Sequence, residues 1–217
     1  MIRIRITFAK TSAMRYTGHL DLHRAWERTF RRAGLPLAYS EGFNPHPRLN
    51  LASALPLGFT GEGEIIDAWL EQDLPLSDIQ TALQRALPPG MQIAQIETVD
   101  LRLPALQTEL EASEYHITFL EPFPELADRA QALLSAASLP RQRRERDYDL
   151  RPLILDLHTL PMGASHPPDG LGRPQISLRL VAREGATGRP EEVISALGCD
   201  PQLARVHRTR LLFRLEG

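Results

Sequence analysis

Cysteine is nearly missing: Cys199 is the only one in 217 residues. One thiol excludes an internal disulfide and a self-contained cysteine cluster site. No CxxxCxxC occurs, so the chain cannot itself hold the iron–sulfur cluster of a radical enzyme. No run reaches the roughly 18 apolar residues that a membrane helix needs. The start, MIRIRITFAK, lacks the apolar core of a signal peptide, and the expected location is the cytoplasm with no membrane contact. Also missing are GxGxxG, a Walker loop, GxSxG and HExxH. No cofactor and no metal are expected from these residues. Lysine is almost absent too: of 25 basic residues only Lys10 is not Arg. Arginine brings a rigid fork suited to phosphate and carboxylate.

What is present is ordinary in bulk: 42% hydrophobic and 24% charged residues, values of a globular chain. The length fits one large domain or two small ones. The net charge of −2 hides an asymmetry. Residues 1–50 hold nine basic and three acidic side chains, residues 51–140 three and fourteen, and residues 141–217 thirteen and ten. A segregated basic start fits a polyanionic partner, and it fits equally a fold that mixes these stretches into one surface.

The pattern predicts alternating strand and helix. Residues 2–8 alternate strictly, with Ile2, Ile4, Ile6 and Phe8 on one face. Residues 19–33 are a helix carrying Leu22, Trp26 and Phe30, stopped by Gly34 and Pro36. Residues 36–59 are a short strand and an ordered loop. A strand over 63–71, a helix over 75–87 and a strand over 91–100 complete the first half. The second half repeats the order: strand 114–120, helix 122–137, an extended stretch over 141–160, strand 174–183, helix 190–198 and strand 204–215. The expected class is α+β, two tandem ferredoxin-like β-α-β-β-α-β units with antiparallel sheets. The boundaries are 1–103 for the first unit, 104–112 for a linker and 113–217 for the second.

Several segments carry chemistry. Arg24, Arg28 and Arg31 recur at helical spacing, with Arg32 beside them. Glu27 can pair with Arg24 or Arg31, which leaves at least one guanidinium for a phosphate; a solvated face of ion pairs is the equal alternative. His19 and His23 stand four apart, but without HExxH they do not make a metal pair. His19 is the one catalytic candidate, as a proton shuttle. In YSEGFNPHPR, Tyr39 and Phe43 can stack bases, Asn44 and His46 flank them, and Arg48 can meet a phosphate; the alternative is a loop whose rings cover the sheet edge. Arg141, Arg143, Arg144 and Arg146 form a weak basic patch that runs on to Arg151. In the last strand Arg208, Arg210 and Arg214 share parity and are expected to face solvent or an anion.

The run from Phe8 to Asn50, with HLDLH, RRAGLP and YSEGFNPHP, resembles the radical-SAM-linked family of bacterial proteins. Glu62-Gly63-Glu64 and Asp147–Pro152 (DYDLRP) resemble it as well. His19, Asp21, Arg31, Gly34, Tyr39, Ser40, Glu41, Gly42, Asn44 and Pro45 match its motif, which assigns them no roles. The resemblance implies a separately encoded radical SAM protein as partner. A looser likeness is to the repeat RNA-binding proteins of CRISPR systems, whose glycine-rich loop has only Gly163, Gly170 and Gly172 as counterparts here. The expected function is an accessory module that binds structured RNA beside that partner. The alternatives are a protein adaptor docked through residues 51–140, and a metal-free RNA-processing enzyme using His19.

Overall fold

In the computed structural model, which describes residues 1–143, 145–161 and 172–214, the alternating start forms strand β1 (Ile2–Lys10). Ile4, Ile6 and Phe8 are buried on its inner face. Helix α1 (His19–Arg32) buries Leu22, Trp26 and Phe30 on that same layer. Trp26 meets the Phe8 ring edge-on at 5.0 Å and the Phe30 ring at 6.0 Å. Gly34 takes φ +67°, a left-handed value that lets the chain turn out of the helix. The short strand β2 (Leu49–Leu51) and the long β3 (Thr60–Leu70) follow, then α2 (Leu76–Ala86) and β4 (Met91–Val99). These strands lie in the order β4-β1-β3-β2, each neighbouring pair antiparallel. Both helices contribute to the cluster on one face, where Ile79 and Leu83 of α2 join Ile66, Ala68 and Leu70 of β3.

The chain divides into two compact units, Met1–Glu109 and Leu110–Gly217. Residues 104–112 hold a helical turn, α3 (Leu106–Glu109), and the start of β5 (Leu110–Phe119). Leu106 and Leu110 are both buried, and the boundary between the units falls within this stretch. The second unit continues with α4 (Leu126–Ser135), β6 (Pro140–Arg143), β7 (Arg146–Asp149) and β8 (Ile154–Thr159). Strands β9 (Gln175–Arg183) and β10 (Ala186–Thr187), helix α5 (Pro190–Ala196) and β11 (Ala204–Phe213) complete it. Here β8, β9, β5 and β11 lie in that order, again antiparallel, with β10 also on β9. The expected extended stretch over 141–160 is a hairpin, β6–β7, apart from the main sheet, followed by a single helical turn and β8. Glu145 has φ +65° in its turn, without the glycine that usually marks one. The fold is therefore α+β. Among the described residues no helix is long and apolar enough to cross a membrane.

The charge asymmetry along the sequence does not survive as an asymmetry between units. Residues 1–109 hold 11 basic and 12 acidic side chains, and residues 110–217 hold 14 and 15. Each unit carries a net −1. Any basic surface must therefore be local.

Candidate nucleic-acid interface

Helix α1 is pinned by its apolar face, so its polar face must look outward. Arg24 donates to Asp21 one turn back at 3.2 Å, and both side chains are about two-thirds exposed. Glu27 is taken by neither Arg24 nor Arg31. Its carboxylate sits 3.1 Å from Nδ1 of His23, whose Nε2 lies 3.4 Å from the Leu49 carbonyl. These two contacts place the His23 ring between α1 and β2. Arg28 and Arg31 are exposed, and among the described residues neither has an ion-pair partner. Arg32, also exposed, has a tie to the fold. It donates to the Ala86 carbonyl at 2.6 Å, at the negative end of α2. His19 opens the helix behind Gly18 and is half-buried.

The loop after α1 is built as a closed stem with an open apex. Tyr39 bridges Pro47, and the Arg48 amide donates to the Ala38 carbonyl at 2.8 Å. The Ser40 amide donates to the His46 carbonyl at 2.9 Å, and the His46 amide returns a bond to the Ser40 hydroxyl at 3.0 Å. Gly42 has φ +116° at the apex, a region closed to ordinary side chains. Residues 41–46 are all exposed, and the Phe43 ring is fully so. Tyr39 is half exposed. Phe43 therefore shields no part of the sheet edge, while the Tyr39 ring is half covered. Arg48 is half-buried, its guanidinium 4.9 Å from the Trp69 ring centre.

Other arginines are already committed. On the helix-free face of the first sheet, Asp67 has a wholly buried side chain that accepts from Arg3 and Arg5. Arg3 also donates to the carbonyls of Leu103 and Pro104, and lies 4.8 Å from the Trp69 ring centre. The sole lysine, Lys10, is buried and donates to the Thr17 carbonyl at 2.8 Å. The sequence does not single out Asp67, and it marks Lys10 only as the lone lysine. The register Arg5↔Asp67 and Arg3↔Trp69 reveals the first, but it requires knowing how β1 pairs with β3.

Arg151 lies in the second unit and donates to the carbonyls of Leu134 and Ile154 at 2.9 and 3.0 Å. The DYDLRP stretch is a structural motif around it. Asp149 accepts from the amides of Leu139 and Arg151, bonds that hold its carboxyl below the usual range. Arg143 grips Glu192 at 2.8 Å and lies over Tyr148 at 4.9 Å. Arg144 of the expected basic patch lies outside the described residues, as do Gly163 and Gly170.

Arg208 corrects the parity argument. Strand β11 has an extra residue between Arg208 and Arg210, so Arg208 is buried while Arg210 is exposed on Glu114. Glu114 also takes Arg179, and Arg214 pairs Glu111. The register sets His158, Ser177, His116 and His207 in one row across four strands. Among the described residues no three His, Cys, Asp or Glu side chains are arranged for a metal. This face offers paired guanidinia and imidazoles but no Phe, Tyr or Trp at the positions around that row, so it is not a stacking platform. Cys199 is half-buried, and burial, Asp200 and Glu121 push its thiol pKa up, away from reactivity.

Comparison with solved structures returns low similarity. A crystal structure of a Cbf5-Nop10-Gar1 complex aligns at 13% identity and a TM-score of 0.49, covering 98% of this chain and 50% of that one. An H/ACA RNP bound to a substrate RNA aligns at 14% identity and 0.46, covering 98% and 49%. The chain thus spans about half the length of these solved chains. Csf5, a type IV CRISPR-Cas Cas6 crRNA endonuclease, aligns at 12% identity and 0.20, covering 88% and 96%. None of these scores carries a functional argument. No curated protein matches the chain. A family model matches residues 3–190, with every α1 and loop residue described above, and the chain belongs to that family, the bacterial conserved family described as uncharacterized, DUF2344.

Proposed function

We propose that the chain is an accessory RNA-binding module that works with a separately encoded radical SAM enzyme, in RNA modification or in ribosome or tRNA maturation. The observation that carries the RNA half is the pair Arg28 and Arg31, exposed on α1 with no ion pair among the described residues, beside an Arg24 held only by an exposed aspartate. A guanidinium without a carboxylate is what a phosphate needs. The enzyme half rests on the resemblance of the HLDLH, YSEGFNPHP and DYDLRP stretches. We read both units as ferredoxin-like, which the shared strand order supports. The test is retention of cellular RNA by the purified chain over a salt series. With three α1 arginines on phosphates of a single strand, the logarithm of affinity falls against the logarithm of salt with a slope of about −2. Absence of salt-sensitive binding, with and without the partner enzyme, ends this reading.

A second reading, a protein adaptor, is favoured by the net −1 of each unit, which supplies no broad basic field. It predicts co-purification with the partner enzyme that survives nuclease treatment, together with no RNA affinity of the chain alone.

A further inference from the structure

We infer that the loop of residues 39–48 is a stacking platform for an unpaired base, so that the chain prefers single-stranded RNA to a duplex; this rests on the RNA-binding reading above. A fully exposed phenylalanine is unfavourable in water, and here it is not the accident of a loose loop. Three backbone bonds and a side-chain bond close the stem beneath it, at Ala38–Arg48, Ser40–His46 and the Ala38–Trp69 contact. Gly42, at φ +116°, turns the chain immediately before the ring. The stem is therefore closed before a ligand arrives, which lowers the ordering cost of binding.

The neighbours of Phe43 decide what can sit on it. Ser40, Glu41, Asn44 and His46 are all exposed and polar. In the loop itself the exposed apolar groups beside this ring are Pro45 and the half-exposed Tyr39, a narrow strip flanked by polar side chains. A nucleobase has the matching make-up: one flat face for the ring, and polar edges for the amide of Asn44 and the imidazole of His46. Bases in a duplex are stacked on one another and present no face, so only an unpaired base can use Phe43. The arginines of α1 match one strand as well. Arg24, Arg28 and Arg31 are spaced by about 6 and 4.5 Å of helix rise, a single file of cations.

The experiment measures fluorescence anisotropy with a labelled 12-nucleotide RNA of mixed sequence and with a hairpin whose stem contains the same sequence. The wild type is expected to prefer the single strand by about tenfold or more. Phe43→Ala weakens single-strand binding roughly 5- to 150-fold, the range of one base–aromatic stack, and leaves the hairpin affinity little changed. Phe43→Trp keeps the preference, while Phe43→Leu loses it, since leucine has bulk but no aromatic face. Phe43 touches no core residue, so the variants melt with the wild type. Equal affinity for both RNAs, or full affinity in Phe43→Leu, overturns the stacking inference and leaves RNA binding standing. No binding of either RNA overturns RNA binding itself.

Discussion

Replacing Asp67 by alanine removes a buried carboxylate that two arginines share. Its side chain has no solvent exposure and accepts four bonds, two from Arg3 and two from Arg5. Arg5 is 23% exposed and can swing its charge into water. Arg3 cannot, because its side chain is 2% exposed and fixed to the carbonyls of Leu103 and Pro104. The variant therefore leaves one buried guanidinium without a counter-charge. That situation costs about 3–5 kcal/mol, roughly a fifth or more of a typical domain's stability. For a unit near 110 residues, this is a fall in melting temperature of roughly 10–25 °C. The double variant Arg3→Met with Asp67→Leu removes the charge and the counter-charge together, and it is expected to recover most of the loss. Thermal unfolding followed by circular dichroism measures both. A loss below about 1 kcal/mol in Asp67→Ala, the value of a surface pair, refutes the reasoning.

Three further outcomes follow from the same sorting of partners. Arg28→Ala with Arg31→Ala reduces the magnitude of the salt slope of single-strand RNA binding by about 1.4, at 0.7 per phosphate, without changing the melting curve; an unchanged slope shows that these arginines meet no phosphate. Asp149 has its folded pKa lowered by the Leu139 and Arg151 amides, so its contribution is present above the unfolded pKa and is lost as pH falls through the folded one. Urea midpoints measured from pH 6 downward should therefore fall less steeply in Asp149→Asn than in wild type, and parallel curves argue against the assignment. Gly90→Ala places a Cβ 2.6 Å from Met14 Cγ and 3.0 Å from the Met14 amide at φ +94°, whereas Gly34→Ala at φ +67° meets nothing. Gly90→Ala should be the more destabilising of the two in chemical denaturation, and the reverse order contradicts the geometry.

The elements were legible where periodicity alone decides them. Helix α1 and the Ile4, Ile6 and Phe8 face of β1 are buried as their spacing selects, while Arg3 on the other face of β1 is buried too, which alternation did not show. Legibility ends where the backbone departs from regular spacing. The extra residue between Arg208 and Arg210 reverses parity in β11, and no side chain announces it. The β6–β7 turn uses Glu145 at positive φ where a glycine would have signalled a hairpin. The start of β5 was obscured by its flank: Leu106 and Leu110 are four apart, a spacing too short to separate a helical turn from a strand.

The site was legible as a set of residue types but not as a set of free ones. All the arginines looked alike in sequence, and the fold divides them by what they face. Arg3 and Arg5 neutralise Asp67, Arg32 and Arg151 close helix ends through carbonyls, and Arg143 grips Glu192. Each of these has a partner that only tertiary pairing brings near, 49 or more positions away for Arg3, Arg5, Arg32 and Arg143. Local spacing even misassigned the near neighbours, since Glu27 stands with His23 and not with Arg24 or Arg31. Among the described residues, what has no ion-pair partner on α1 is small, Arg28 and Arg31, and it lies in a unit whose net charge is −1. Affinity for a polyanion must then come from position and not from bulk field. A ligand held by two or three phosphates binds weakly unless a contact that ignores salt is added. An aromatic ring displayed on a closed stem is such a contact, because a neutral ring on a base neutralises no phosphate and releases no counterion. The residual affinity at high salt is therefore where the contribution of Phe43 stands out most clearly from that of the arginines.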